Sequence, residues 1–86
     1  MKRPTREQVH IFETAIGFRD WLAADHASAS ETWIGRYKKG VPKTSMGYQE
    51  AVDEALCFGW IGGIGYRIDD EVFAIRFTPA KGKQLV

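Results

Sequence analysis

Apolar residues recur along this chain at two periods. Between Thr14 and His26, Phe18, Trp21 and Leu22 fall at i, i+3 and i+4, with Ala15 extending the stripe. That is one face of a 3.6-residue repeat. Thr14 can cap, so the spacing predicts a first helix from near Thr14 to about His26. Gly17 weakens its first turn by roughly 1 kcal/mol relative to alanine. "SASE", Ser28 to Glu31, has the spacing of a capping box. Trp33, Ile34 and Tyr37 follow as an apolar face, and Lys38 and Lys39 suit the end of a helix dipole. Gly40 stands where a cap belongs, and Pro42 blocks continuation. A second helix is therefore predicted from Ser28 to about Lys39.

The third helical pattern is the clearest. Tyr48, Val52, Ala55 and Leu56 fall at i, i+4, i+7 and i+8. Glu50, Asp53 and Glu54 crowd its first half, where negative charge is favoured. Gly47 or Ser45 is the expected cap, and Gly59 the expected stop.

Beyond Gly59 the period becomes two. Ile64, Tyr66 and Ile68 alternate with Gly65 and Arg67, and Phe73, Ile75 and Phe77 share one side of a second strand from Val72 to Phe77. One buried face strongly specifies register. An even loop centred on Asp69 and Asp70 sets Tyr66 opposite Phe73 and Ile64 opposite Ile75, and leaves Arg67 and Arg76 on the other face. The expected architecture is α+β: three helices followed by a β-hairpin packed on them. A hairpin is marginal alone, so the sheet is also a candidate for extension by dimerisation.

Eighty-six residues make one domain. The termini, residues 1–10 and 80–86, are expected to be flexible. A chain 44% hydrophobic and 27% charged belongs with globular proteins rather than disordered ones. The net charge of +1 removes any global pull toward nucleic acid or anionic lipid. A lone cysteine forms no internal disulfide, and the charged start "MKRPTREQVHIF" reads neither as a signal peptide nor as a membrane span. The expected location is the cytoplasm.

The stretch "EALCFGWIGGIGYRIDD" concentrates the candidate chemistry. Cys57 ends the third helix, where the dipole opposes a thiolate, so a buried structural cysteine is expected. It has no companion cysteine, and neither His10 nor His26 shows ligand spacing, so no metal and no cofactor are expected. His26 suits a capping role. "GGIG", Gly62 to Gly65, lies between helix and strand in the reverse of the order a phosphate loop needs. Its glycines instead predict a bulge or a close backbone approach. Asp69, Asp70 and Glu71 lack calcium-loop spacing and read as a turn. Trp60 is expected to anchor the hairpin on Trp33 or Trp21, or else to wall a pocket. Trp60, Tyr66, Arg67 and Arg76 are the candidate ligand- or partner-binding residues.

"YQEAVDEALCFGWIGG", then "YRIDDEVFAIRFTP", resembles the N-terminal half of the YdeI/OmpD-associated (bacteriocin-protection) proteins, and "WLAADHASASETWIGRYKKG" fits that family's upstream helices. The likeness runs from about Phe12 to Pro79. It implies an α+β fold related to the YjbR and CyaY-like group, and a link to antimicrobial-peptide or bacteriocin tolerance and to porins. Gly62 replaces an aspartate of the family pattern, Ala80 replaces an arginine, and the family's helical C-terminal region has no counterpart. The resemblance carries no catalytic residue.

No nucleophile–base or acid–base pair is legible. The expected function is a non-enzymatic interaction module, acting as a homodimer or on a protein partner. Two alternatives stand beside it. One is an anionic small-ligand binder, with Arg67 and Arg76 suited to carboxylate or phosphate. The other is a winged-helix-like nucleic-acid binder, which the acidic third helix opposes.

Overall fold

The segment predicted as the second helix is a strand. The computed structural model describes residues 3–80. In chain order it has a 3-10 turn (Arg6–Gln8), β1 (Val9–His10), α1 (Ala15–Asp25), β2 (Thr32–Tyr37), α2 (Tyr48–Cys57), β3 (Trp60–Arg67) and β4 (Val72–Pro79). The architecture is two helices and a four-stranded mixed sheet, an α+β fold, and not three helices followed by a hairpin. The sheet order is β1-β2-β4-β3, with β1 parallel to β2 and the other pairs antiparallel. Parallel strands need a crossover, and α1 supplies it.

The physical reason for the correction lies in burial. Thr32, Trp33, Ile34 and Gly35 are all buried, because β2 lies between β1 and β4 and both of its faces are covered. A short apolar run buried on both sides has no alternation to separate it from a helix. The β-branched and aromatic residues Thr32, Trp33, Ile34 and Tyr37 favour the strand. Gly40, at φ 94°, turns the chain after β2 rather than capping a helix.

The two remaining helices keep their predicted bounds. Thr14 and His26 flank α1, and His26 Nδ1 lies 2.7 Å from Leu22 O. Gly47 flanks α2, and its N–H donates to Glu50 Oε1 at 2.9 Å. Gly59 ends α2 with φ at 76°, a conformation that favours glycine. The buried face of α2 is nevertheless Ala51 and Ala55, whereas Tyr48 and Leu56 are exposed. Cys57 is exposed too, not buried as expected. The small alanines face the core, and Cys57, two positions past Ala55 and about 200° round the helix, faces outward.

Each face of the sheet has its own apolar cluster. On the first, Phe18, Leu22, Met46, Ala51 and Ala55 pack on Ile34, Ile75, Phe77 and Trp60. On the second, Val9, Trp33, Val72 and Ala74 form a cluster joined by Ile11, Tyr37, Tyr66 and Ile68. Gly35 makes the second possible. A β-carbon there would stand 2.5 Å from Val9 Cγ1 and 3.1 Å from both Ile11 Cγ1 and Val72 Cγ1, too close for well-packed carbons.

Of residues 1–10, expected to be flexible, Pro4 is buried and Val9 and His10 pair with β2. At the other end, Ala80 N donates to Gly59 O at 2.8 Å, and residues 81–86 lie outside the described residues.

Candidate functional site

β4 is flanked by β2 and β3, so the hairpin is completed within the chain. Among the described residues the sheet has two edges, the two-residue β1 and the eight-residue β3. Trp60, Ile61 and Gly62 face Pro79, Thr78 and Phe77, the register expected from the alternation. Between Gly62 and Gly65 the register shifts, and Gly65, Tyr66 and Arg67 face Ile75, Ala74 and Phe73. The predicted pairing of Tyr66 with Phe73 and of Ile64 with Ile75 is thus displaced by one residue. The cause is the bulge itself, which adds a residue to one strand only. Gly63 and Ile64 are left without partners on β4, and Ile64 is 51% exposed.

The glycines of "GGIG" also make room for aromatic rings. A β-carbon on Gly62 would lie 3.2 Å from Phe77 Cε2, and one on Gly65 would lie 2.7 Å from Phe73 Cε2. Both rings therefore lie close over the β3 backbone, the close approach that the glycine content predicts.

The four sequence-predicted site residues do not meet. Trp60 is buried at 1% exposure, with its indole edge-on to Trp21 at 5.8 Å. Trp33, the other expected partner of Trp60, lies on the opposite sheet face. There it packs against Tyr66 with ring centroids 5.7 Å apart. Arg67 pairs with Phe73 on the helix side, while Arg76 pairs with Trp33 on the other. The two arginines were expected to share a face, and the bulge separates them. Arg67 donates to Asp70 Oδ1 at 2.6 Å, and Arg76 is engaged by Glu31.

Sequence reasoning missed Ile64 as the exposed edge residue, and it missed the contacts of the N-terminal arm. Arg3 sits 5.5 Å above the Tyr66 ring, and Arg6 Nε lies 3.8 Å from Asp69 Oδ2. No local signal marks either contact, because both join the first residues to the end of β3. Asp69 also accepts from the N–H groups of Glu71 and Val72 at 2.8 and 2.9 Å. Those bonds, first that from Glu71, hold its carboxyl below the ordinary carboxylate value. Between the helices, Arg19 makes a two-pronged pair with Glu54 at 2.9 Å on each prong. This hydrogen bonding lowers the Glu54 carboxyl and raises the Arg19 guanidinium.

An open cleft of about 390 Å³ is lined by Ile11, Glu13, Tyr37, Pro42, Lys43 and Thr44. Its one cation, Lys43, already reaches Glu71 at 3.3 Å and overlies Tyr37. Among the described residues, no cluster of three or more His, Cys, Asp or Glu is placed to hold a metal ion. Among the same residues, no helix is long and apolar enough to cross a membrane.

The family model for a domain of unknown function, DUF8412, matches residues 10–84. The chain belongs to that family. No curated protein and no solved structure matches it. The matched span takes in β2, both helices and the β3–β4 hairpin, so the DUF8412 domain includes the open β3 edge. The arm that carries Arg3, Pro4 and Arg6 precedes the matched residues.

Proposed function

We propose that this DUF8412 domain acts by binding rather than by catalysis, as a small interaction module that associates with a second copy through the edge of β3. The observation that carries this reading is the edge itself. β3 spans eight residues, Trp60–Arg67, and holds no charged side chain before Arg67. Charged residues and proline are the usual protection of a free edge. Among the described residues β3 has the terminal Arg67 and the bulge as such devices, and the bulge leaves Ile64 exposed with no partner on β4. Two such edges brought together across a two-fold axis would pair their free backbone groups and cover both Ile64 side chains. The dispersal of Trp60, Tyr66, Arg67 and Arg76 over the core and both sheet faces speaks against a convergent ligand pocket.

Sedimentation from low to high micromolar concentration tests the reading. The native chain is expected to pass reversibly from monomer to dimer. Ile64→Lys, which places a charge on the edge, is expected to remain monomeric with its fold intact. A native chain that stays monomeric throughout, or an Ile64→Lys variant that dimerises equally well, would exclude this edge as the interface.

A further inference from the structure

The clearest apolar stripe of the sequence is one that the fold leaves half uncovered. Tyr48, Val52 and Leu56 recur along α2 at four-residue steps, yet the residues that α2 buries are Ala51 and Ala55. Tyr48 is 47% exposed and Leu56 54%, and Val52 between them is half-buried. Single exposed apolar residues are ordinary, whereas a contiguous apolar patch marks a contact surface.

The topology fixes where this flank looks. β2 and β3 are both antiparallel to β4, which lies between them, so they are parallel to each other. α1 is the crossover from β1 to β2 and α2 the crossover from β2 to β3, and both pack on the first face of the sheet. α2 therefore lies on the β3 side of α1. Glu54 marks the flank of α2 that meets α1, through its pair with Arg19. At about 100° per residue, Tyr48, Val52 and Leu56 stand roughly 120°, 160° and 200° round the helix from Glu54. The stripe faces away from α1, toward the β3 edge. Phe73, half-buried on the same sheet face, lays its ring over Gly65 of β3, so apolar surface continues from the helix toward that edge.

We propose that the stripe is a second layer of the self-association surface, and that α2 packs on α2 of a second copy when the two β3 edges pair. The inference rests on the β3-edge reading for its axis and adds the helix contact to it. Area and symmetry both point to a second copy as the occupant. A specific protein interface buries about 1,200–2,000 Å², and two edge strands with one exposed isoleucine each cover little apolar surface alone. As a crossover between parallel strands, α2 runs opposite to β3. A two-fold axis that sets the β3 edges antiparallel therefore sets the two α2 helices antiparallel as well. Under such an axis each contact occurs twice. Tyr48 of each copy faces Leu56 of the other, and the two Val52 side chains meet near the axis.

Sedimentation equilibrium over micromolar concentrations tests this with full-length variants checked for native circular dichroism. Leu56→Glu and Tyr48→Lys are each expected to weaken dimerisation at least tenfold. The double variant Tyr48→Lys, Leu56→Glu is expected to regain it, because the introduced positive charge of one copy faces the introduced negative charge of the other. Within one chain the two positions are about 12 Å apart along the helix and do not pair. Should Leu56→Glu not fold, Leu56→Ser is expected to weaken dimerisation in the same sense. A Leu56 variant that dimerises like the native chain overturns the helix contact, and leaves the β3-edge reading standing if Ile64→Lys is monomeric. Dimerisation lost in Leu56→Glu but kept in Ile64→Lys removes the edge instead and leaves the stripe as the interface. Single variants that weaken the dimer, with no recovery in the double variant, overturn the antiparallel packing. A native chain that is monomeric throughout overturns both readings.

Discussion

Trp60 shows how one residue joins the layers. It follows the left-handed turn at Gly59, opens β3 and meets Trp21 of α1 edge-on. Removing a fully buried indole forfeits its transfer energy and leaves a cavity. Trp60→Ala is therefore expected to cost about 3–5 kcal/mol, read from the denaturant midpoint. Arg67→Ala, which removes an exposed pair with Asp70, should shift stability by no more than about 0.5 kcal/mol. A Trp60→Ala variant as stable as the native chain would show that the indole is not part of the core. The role of Trp60 was legible because a large aromatic beside a helix stop has few other places to go. The exposure of Cys57 was legible but overlooked, since it lies two positions past Ala55, about 200° round the helix and opposite the apolar stripe. The glycines of "GGIG" were read correctly as backbone chemistry. Which rings they accommodate, Phe73 and Phe77, depended on a register still unknown.

At the scale of elements, α1 and α2 are joined by the Arg19–Glu54 pair. Glu54 holds its proton less tightly in the folded chain than its ordinary value of 4.5. A carboxyl lowered in this way contributes stability that is fully present above its unfolded value and is lost as pH falls through its folded one. Asp69, lowered below 3.8 by the turn's own N–H groups, acts in the same sense over a more acidic range. The melting temperature is accordingly expected to fall as pH drops below about 4.5. Glu54→Gln should be less stable at neutral pH and lose less on acidification. An acid profile identical to that of the native chain would remove this pair from the account. The helices were legible as elements because their caps and stripes lie within a few residues of each other. β2 was not, because the "SASE" spacing and a four-residue buried run fit a helix as well as they fit a strand.

Across the whole molecule, the sheet resolves the problem of a marginal hairpin within one chain. β4 has neighbours on both sides, and β2 supplies an added strand for which a second copy was one candidate source. Of the two edges among the described residues, β1 and β3, the longer is β3. If that edge associates, assembly stabilises the folded state by mass action. The melting temperature of the native chain should then rise with protein concentration, while that of Ile64→Lys should not. A melting temperature independent of concentration in both would count against association through this edge.

The local chemistry of the chain determined α1, α2, the Asp69 turn and the existence of the β3–β4 hairpin. Each rests on caps, stripes or turn residues that act within about one element of themselves. Tertiary structure alone decided that residues 32–37 are a strand, that the hairpin slips by one residue between Gly62 and Gly65, and that Arg67 and Arg76 part to opposite faces. Those outcomes depend on ladders between segments far apart in sequence, Trp33 against Arg76 and Val9 against Trp33. A residue's neighbours along the chain hold no record of which distant strand will satisfy its backbone, and that satisfaction is what chose between helix and sheet.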